Sequence, residues 1–352
     1  WGMNYDLWLI KTNSSGDLEW EKTFGSSWPE WAYSAKETSD GGFIISGFKS
    51  ISFYPGEGYD QHNLWLIKTN SSGDLEWEKT FGGSYDEDMY SLFETADNGF
   101  IMAGHTESTS EDFKSDFWIL KVNDSGIEEW NKTFGEIGIE KAYYIENTSD
   151  GGFIVSGFTE SIGSGNSDFW ILKLNSSGNK IWSIPFGDVN DEKSYSIHET
   201  SDGGFIVSGF TESIGSGNSD FWILKLNAGP IVSQSYPFYN HRFDSNNYSL
   251  PINVSFNCSS GSNKNLVNLS LYITNSNGSD LSLNLSNNVS GNYNFSSWNV
   301  SINSGTYIWN CLAVDNQSNS NWGINKSLYI GDLTFPLINY NFTNATFNDS
   351  FS

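Results

Sequence analysis

An all-β fold is what this sequence of 352 residues predicts: a tandem array of four-stranded antiparallel sheets, then a second β domain. Three observations predict it. A twenty-residue phrase recurs at a nearly constant interval through residues 1–228, and short apolar runs alternate with turns rich in Gly, Asn and Ser along the whole chain. No stretch sustains a 3.6-residue apolar period, so essentially no helix is expected.

The phrase is clearest at Asp168, as DFWILKLNSSGNKIWSIPFG. It stands as DLWLIKTNSSGDLEWEKTFG at Asp6, as NLWLIKTNSSGDLEWEKTFG at Asn63 and as DFWILKVNDSGIEEWNKTFG at Asp116, and its first half closes the series as DFWILKLN at Asp220. The starts are 57, 53, 52 and 52 residues apart, an interval typical of propeller-type repeats. Leu7–Gly25 is identical to Leu64–Gly82, and Thr148–Asn175 to Thr200–Asn227, which points to recent internal duplication.

Each unit reads as four strands. FWILKLN alternates large apolar groups with Lys and Asn, Asn-Ser-Ser-Gly turns the chain, and NKIWSIPFG returns. A loop leads to SYSIHET (Ser194–Thr200), the turn Ser201-Asp202-Gly203-Gly204 to FIVSGF (Phe205–Phe210), and TESIGSGNSD to the next Phe-Trp. The pattern W-x-x-K-x-N-x-x-G-x-x-x-W followed by D-G-G-F-I-x-x-G resembles the tandem propeller repeats of bacterial and archaeal secreted surface proteins, and more loosely the quinoprotein-type blade. The resemblance covers residues 1–228 and implies a β-propeller of four or five four-stranded blades, with units starting near 6, 63, 116, 168 and 220. It also implies a strand order: SYSIHET innermost, then GFIVSGF, then DFWILKLN, with NKIWSIPFG outermost. Ring closure, with Asp6–Gly25 completing the last blade, is the expected way to remove exposed edges. Upstream repeats outside the sequence, or strands from a neighbouring molecule, are the alternatives. In a four-blade ring Asp220–Asn227 and Asp6–Lys11 compete for one slot.

The composition changes near Gly229–Pro230, which marks the boundary of the second domain, residues 229–332. SLPINVSFNCS, NLVNLSLYIT, DLSLNLS, GNYNFSSWNVS, GTYIWNCLAV and NKSLYIG alternate apolar and polar residues between closely spaced turns, the signature of a β-sandwich. Cys258 and Cys311 are the only two cysteines. In an extracellular sandwich they read as an inter-sheet disulfide, which the loop-entropy model values at roughly 3–5 kcal/mol; two free buried thiols are the alternative. The G-x-Y-x-W-x-C-x-A-x-D pattern at Gly305, Tyr307, Trp309, Cys311, Ala313 and Asp315 resembles the immunoglobulin-like domains appended to archaeal and bacterial surface proteins. It departs from antibody domains in having Tyr272 fourteen residues after the first cysteine, where those carry Trp. Residues 333–352 read either as the first strand of a further domain or as a strand donated to a neighbouring subunit.

The charge balance, 42 acidic residues to 17 basic and a net −25, argues against nucleic acid and against an anionic membrane surface. Most of it lies in the array, where solubility explains it better than specific cation binding. No apolar run is long enough to span a bilayer. The chain opens on Trp1 without a signal-peptide pattern, so any leader is expected to lie outside it. Sequons supply a location. They stand at Asn13, Asn70, Asn123, Asn131, Asn147 and Asn175, then at Asn247, Asn253, Asn257, Asn268, Asn277, Asn284, Asn288, Asn294, Asn299, Asn316, Asn325, Asn341, Asn344 and Asn348. That density points to a glycan-coated extracellular or cell-surface segment carrying covalent N-glycans.

Chemistry is harder to find. The histidines, His62, His105, His198 and His241, show no metal-ligand spacing. Glu37, Glu94, Glu199 and Asn147 occupy equivalent inner-strand positions, where turn capping is preferred to a cation-binding ring. The turns around Asp202 and Gly163–Asp168 could ligate Ca²⁺, the one cofactor considered, but a plain turn is the preferred reading. The repeated tryptophans (Trp8, Trp65, Trp118, Trp170, Trp222; Trp20, Trp77, Trp130, Trp182) suit packing better than sugar stacking. No nucleophile elbow, phosphate loop or dinucleotide fingerprint occurs. The reading is therefore a non-enzymatic structural protein, a glycosylated surface or filament-forming subunit that self-associates. The alternative is an adhesin or lectin-like module binding glycans through loops such as Ser50–His62, with Phe53, Tyr54 and Tyr59. An enzyme has no supporting motif.

Overall fold

The computed structural model describes residues 5–53, 60–108, 114–227, 229, 231–236, 241–244, 252–262, 264–275, 283–323 and 326–331, and among them it contains strands, turns and bends but no helix. The tail 333–352 and the centre of the 50–62 loop lie outside the described residues.

The array is built from sheets whose strand order follows the chain. β1 (Leu7–Thr12) and β2 (Leu18–Phe24) pair as a two-stranded sheet. Three four-stranded antiparallel sheets follow: β3 (Glu30–Glu37), β4 (Phe43–Phe53), β5 (Asp60–Thr69) and β6 (Leu75–Phe81); then β7 (Glu87–Glu94), β8 (Phe100–Thr106), β9 (Asp116–Val122) and β10 (Glu128–Phe134); then β11 (Glu140–Asn147), β12 (Phe153–Thr159), β13 (Asp168–Leu174) and β14 (Lys180–Phe186). A three-stranded sheet of β15 (Glu192–Glu199), β16 (Phe205–Thr211) and β17 (Asp220–Leu226) ends the series.

Local chemistry explains the turns. At the hairpin between β13 and β14 Asn175 Oδ1 accepts the amides of Ser177 (3.0 Å) and Asn179 (2.9 Å), and Gly178 takes φ 74°, a value that favours glycine. Between β11 and β12, Thr148 and the Gly152 amide both donate to Asp150 Oδ1, at 2.6 and 3.0 Å. The lysine of FWILKLN completes the turn: Lys173 is buried, and its Nζ donates to Asp150 Oδ1 at 2.8 Å and to the Leu174 carbonyl at 3.1 Å. Lys68, Lys121 and Lys225 repeat the pairing with Asp40, Asp97 and Asp202. A residue that reads as polar within a strand is thus the anchor of a neighbouring turn.

Alternation then divides each third strand between two cores. On β13, Trp170, Leu172 and Leu174 face back into a core with Phe117 and Ile119, while Phe169 and Ile171 face forward into one with Leu224, Leu226 and Val207. Successive sheets therefore pack face to face. Leu7, on β1, shares its core with Trp65 and Ile67 in the same way.

The expected ring closure is not what these strands do. β1 and β2 pair with each other, and β17 pairs with β16 alone. The physical reason is the competition noted above: β1 and β17 carry nearly the same sequence and fill the same place, third in a sheet, so neither can complete the other.

Two further sheets form the second part. One contains β18 (Ile231–Tyr236), β20 (Ile252–Gly261) and β23 (Tyr293–Ile302); the other contains β19 (His241–Asp244), β26 (Lys326–Gly331), β24 (Gly305–Asp315), β21 (Leu266–Asn275) and β22 (Leu283–Asn288), with β25 (Ser320–Trp322) paired to β24. Inward residues of both, including Phe256, Trp298, Leu271, Trp309 and Leu328, share one core. Cys258 on β20 and Cys311 on β24 are joined by a disulfide with Cα atoms 6.5 Å apart, so the bond crosses between the sheets.

The two parts meet on β14. Its sequence, KIWSIPF, puts Ile181, Ile184 and Pro185 where LEWEKTF has its first Glu, its Lys and its Thr, and Trp182, Ile184 and Phe186 are buried where β2, β6 and β10 are mostly half-exposed. In the array each hairpin glycine lies against the previous unit's outer tryptophan, so that a Cβ at Gly178 would come within 2.6 Å of Trp130. Toward Trp182 the same role falls to Gly261 of β20, where a Cβ would sit 2.8 Å away, and Ser233 of β18 donates to the Pro185 carbonyl. These two further sheets occupy the face of β14 that a fourth strand after β17 would cover.

Candidate functional site

The most regular side-chain feature of the array was not singled out from the sequence. Tyr33, Tyr90, Tyr143 and Tyr195 stand at one position of the first strand in each unit, with successive ring centroids 5.1, 5.2 and 5.2 Å apart. Each is the extra residue of a β-bulge: the pairing of β11 with β12 skips from Ala142 to Tyr144, and the other three first strands skip at the matching place. A bulge re-aims the side chain of its extra residue, and here it turns tyrosines of four strands toward one another. Opposite the bulge the second strand carries glycine; a Cβ on Gly157 would come within 2.0 Å of the Lys141 carbonyl. Burial, with the Asp88 charge for Tyr33 and Tyr195 for Tyr143, pushes both phenols up to about 12. They act as neutral aromatic surfaces. The signal available in the sequence was the Tyr at a fixed offset in every unit.

A polar cluster adjoins the ladder where three sheets meet. Asp88, mostly buried, receives Tyr90 Oη at 3.2 Å and lies 3.1 Å from His62 Nε2 and 4.0 Å from His105 Nε2. Burial works to raise the Asp88 carboxyl, but the hydrogen bonds from His62 and Tyr90 oppose it, and the carboxyl is held below the ordinary range. His105 is pushed down to about 3, first by burial and then by Lys141, whose Nζ is 3.2 Å from Nε2. A neutral imidazole that accepts from Lys141 joins sheets here. His198 lies elsewhere, exposed, with Nδ1 2.8 Å from Glu146. The side chain of His241 lies outside the described residues.

Two of the glutamates compared above as a possible cation ring, Glu94 and Glu199, are staples between neighbouring sheets. Glu94 accepts the Ser39 amide at 2.9 Å and the Ser39 hydroxyl at 2.7 Å. Glu199 does the same to Ser149, at 2.6 and 2.7 Å. Asn147 reaches the Glu94 carbonyl at 3.3 Å, and Glu37 is exposed. In the Gly163–Asp168 loop the Ser164 amide donates to Asp168 Oδ2 at 2.9 Å, which closes the turn on itself.

A second set of carboxylates lies at the start of each first strand. Glu30, Glu87, Glu140 and Glu192 are buried; Glu192 accepts from Thr211 at 2.7 Å and from the Asp188 amide at 2.8 Å. Asp168 lies beside this last one. Burial, reinforced by Glu192 and Asp188, raises its carboxyl to about 8 against the opposing Ser164 bond and the Lys326 charge. Lys326, buried with Nζ donating to the Gln234 carbonyl at 2.8 Å, is pushed down by burial.

The tryptophans divide by position. Trp65, Trp118, Trp170 and Trp182 are buried between sheets, whereas Trp8 is 62% exposed. Phe221, at the opposite end of the array, is 75% exposed. Sequon asparagines have a structural role as well: Asn13, Asn70, Asn123 and Asn175 use Oδ1 to cap their hairpins. None of the thirteen sequon asparagines with described side chains is buried; Asn247, Asn277, Asn325, Asn341, Asn344 and Asn348, and the side chain of Asn284, lie outside the described residues.

No protein-family model matches the chain, and no curated protein matches its sequence. What the sequence and geometry define is an all-β tandem-repeat chain carrying a disulfide-bridged second β part. No helix among the described residues is long and apolar enough to cross a membrane.

Proposed function

We propose that this chain is a non-enzymatic structural protein of the cell exterior, a glycosylated surface or filament-forming subunit made of a propeller-type repeat array and an immunoglobulin-like sandwich. The observation that carries the reading is where the titratable side chains go. The Lys–Asp pairs tie the third strand of each sheet to the first turn of the same sheet, while the Glu–Ser staples and the Asp88 cluster join neighbouring sheets. A chain whose charged groups are turned to holding repeats in register is suited to bearing load.

Location follows from two supports, the bridged cysteines, which persist in oxidising compartments, and the exposed or half-exposed sequon asparagines. The test is to isolate the protein from its native source, weigh it and image it by negative stain. Mass above the 39.3 kDa of this chain, removable by chemical deglycosylation, together with rings or fibres, is the expected result. Unmodified, dispersed monomers at high concentration would overturn the reading.

A further inference from the structure

We propose that Asn98, in the turn between β7 and β8, is a self-modification site: the backbone nitrogen of Gly99 attacks its side-chain carbonyl, and the turn converts to an aspartyl or isoaspartyl linkage. The inference is independent of the structural-subunit reading.

The four turns that join first and second strands are built alike except at this position. Gly41, Gly151 and Gly203 stand there with φ 81°, 81° and 78°, and Asn98 takes φ 62°, one of two non-glycine residues with positive φ among those described. Asparagine tolerates this conformation better than most residues, but it remains a strained one for any side chain. Asn98 is exposed, and glycine follows it, so no Cβ at 99 shields its side-chain carbonyl.

The attacking nitrogen is also the least restrained of its kind. The amides of Gly42, Gly152 and Gly204 donate to their turn aspartates at 2.9, 3.0 and 3.0 Å, whereas the Gly99 amide reaches Asp97 Oδ1 only at 3.3 Å, past the usual range. The ammonium of Lys121 lies beside it, since a Cβ on Gly99 would come within 2.6 Å of Nζ. A positive charge there favours the deprotonated nitrogen that acts as nucleophile.

The reaction balances with hydroxide and water alone. Hydroxide takes the Gly99 amide proton, the bond from that nitrogen to Asn98 Cγ forms, the Cγ–Nδ2 bond breaks, and Nδ2 leaves as ammonia. Water then opens the cyclic imide at either carbonyl, to aspartate or to isoaspartate, with no change of oxidation state. Either product sets a carboxylate beside the staple in which Glu94 accepts the Ser39 amide and hydroxyl, the hydroxyl lying 3.5 Å from Asn98 Oδ1. Like charges there oppose each other. Isoaspartate also adds a methylene to the backbone of a turn closed by the Thr95 amide on the Gly99 carbonyl at 2.9 Å. Conversion therefore loosens the junction between the first two complete sheets.

Peptide mapping of the full chain, held for days in mildly alkaline buffer, tests this. Asn98 should be the first of the described asparagines to gain the mass of an NH-to-O exchange, with isoaspartate among the products and one negative charge added on isoelectric focusing. The denaturant midpoint of the wild type should fall through the same incubation, whereas Asn98→Gly, which restores the residue of the other three turns, should keep its midpoint. Asn98 left intact while another described asparagine converts, or after an incubation that converts a short Asp-Asn-Gly-Phe peptide, would overturn the site. An equal fall in the wild type and in Asn98→Gly would overturn its effect on the junction.

Discussion

Asp168 shows how one aspartate changes meaning with its surroundings. Asp40, in the turn between β3 and β4, is held at about 2 by Lys68 and then by Thr38 and the Gly42 amide, so what it adds to stability is present above the unfolded value and lost as pH falls toward 2. Asp168 runs the other way. With its carboxyl raised to about 8 by burial, the folded state holds a proton that the unfolded chain releases near ~4, so its contribution is full below that value and is lost as pH rises through about 8. Asp168→Asn should flatten the fall in stability between pH 5 and pH 9, read as denaturant midpoints. An unchanged slope would show that another group sets it.

At the scale of the element, β14 separates a strand that faces water from one that carries a domain. Ile184 takes the place of Lys22, Lys79 and Lys132 in the other outer strands, and it is buried in the core beneath the second part. Ile184→Lys, which restores the array's own residue, should cost about 3 kcal/mol by leaving an unpaired charge in an apolar site. It should also open β18 to proteolysis; a variant with wild-type stability and protection would show that the face is not the seat. The sequence already carried this signal, since KIWSIPF is the one outer strand without Glu or Thr. Strand order and turns were legible because five copies of one phrase repeat the same Asn, Asp and Gly. The bulged tyrosines were not, because a tyrosine in a β run reads as an ordinary strand residue until the skip in pairing is seen. Nor were the staples, since which Glu meets which Ser depends on how the sheets stack.

For the whole molecule, the sequence pointed to a closed ring, whereas β1 pairs with β2 and β17 with β16 alone among the described strands. The competition of Asp220–Asn227 with Asp6–Lys11 was visible in the repeat; its resolution was not, because β18 and β20 already cover β14. The array and the second β part pack together through that strand, and calorimetry with and without reductant tests most directly whether they unfold as one body. Reducing the Cys258–Cys311 bond loosens only the second domain by itself, with an expected loss of roughly 3–5 kcal/mol. If the two parts are one body, the oxidised chain unfolds in a single transition and reduction lowers all of it. Two separate transitions, with the array's unmoved by reductant, would contradict the claim.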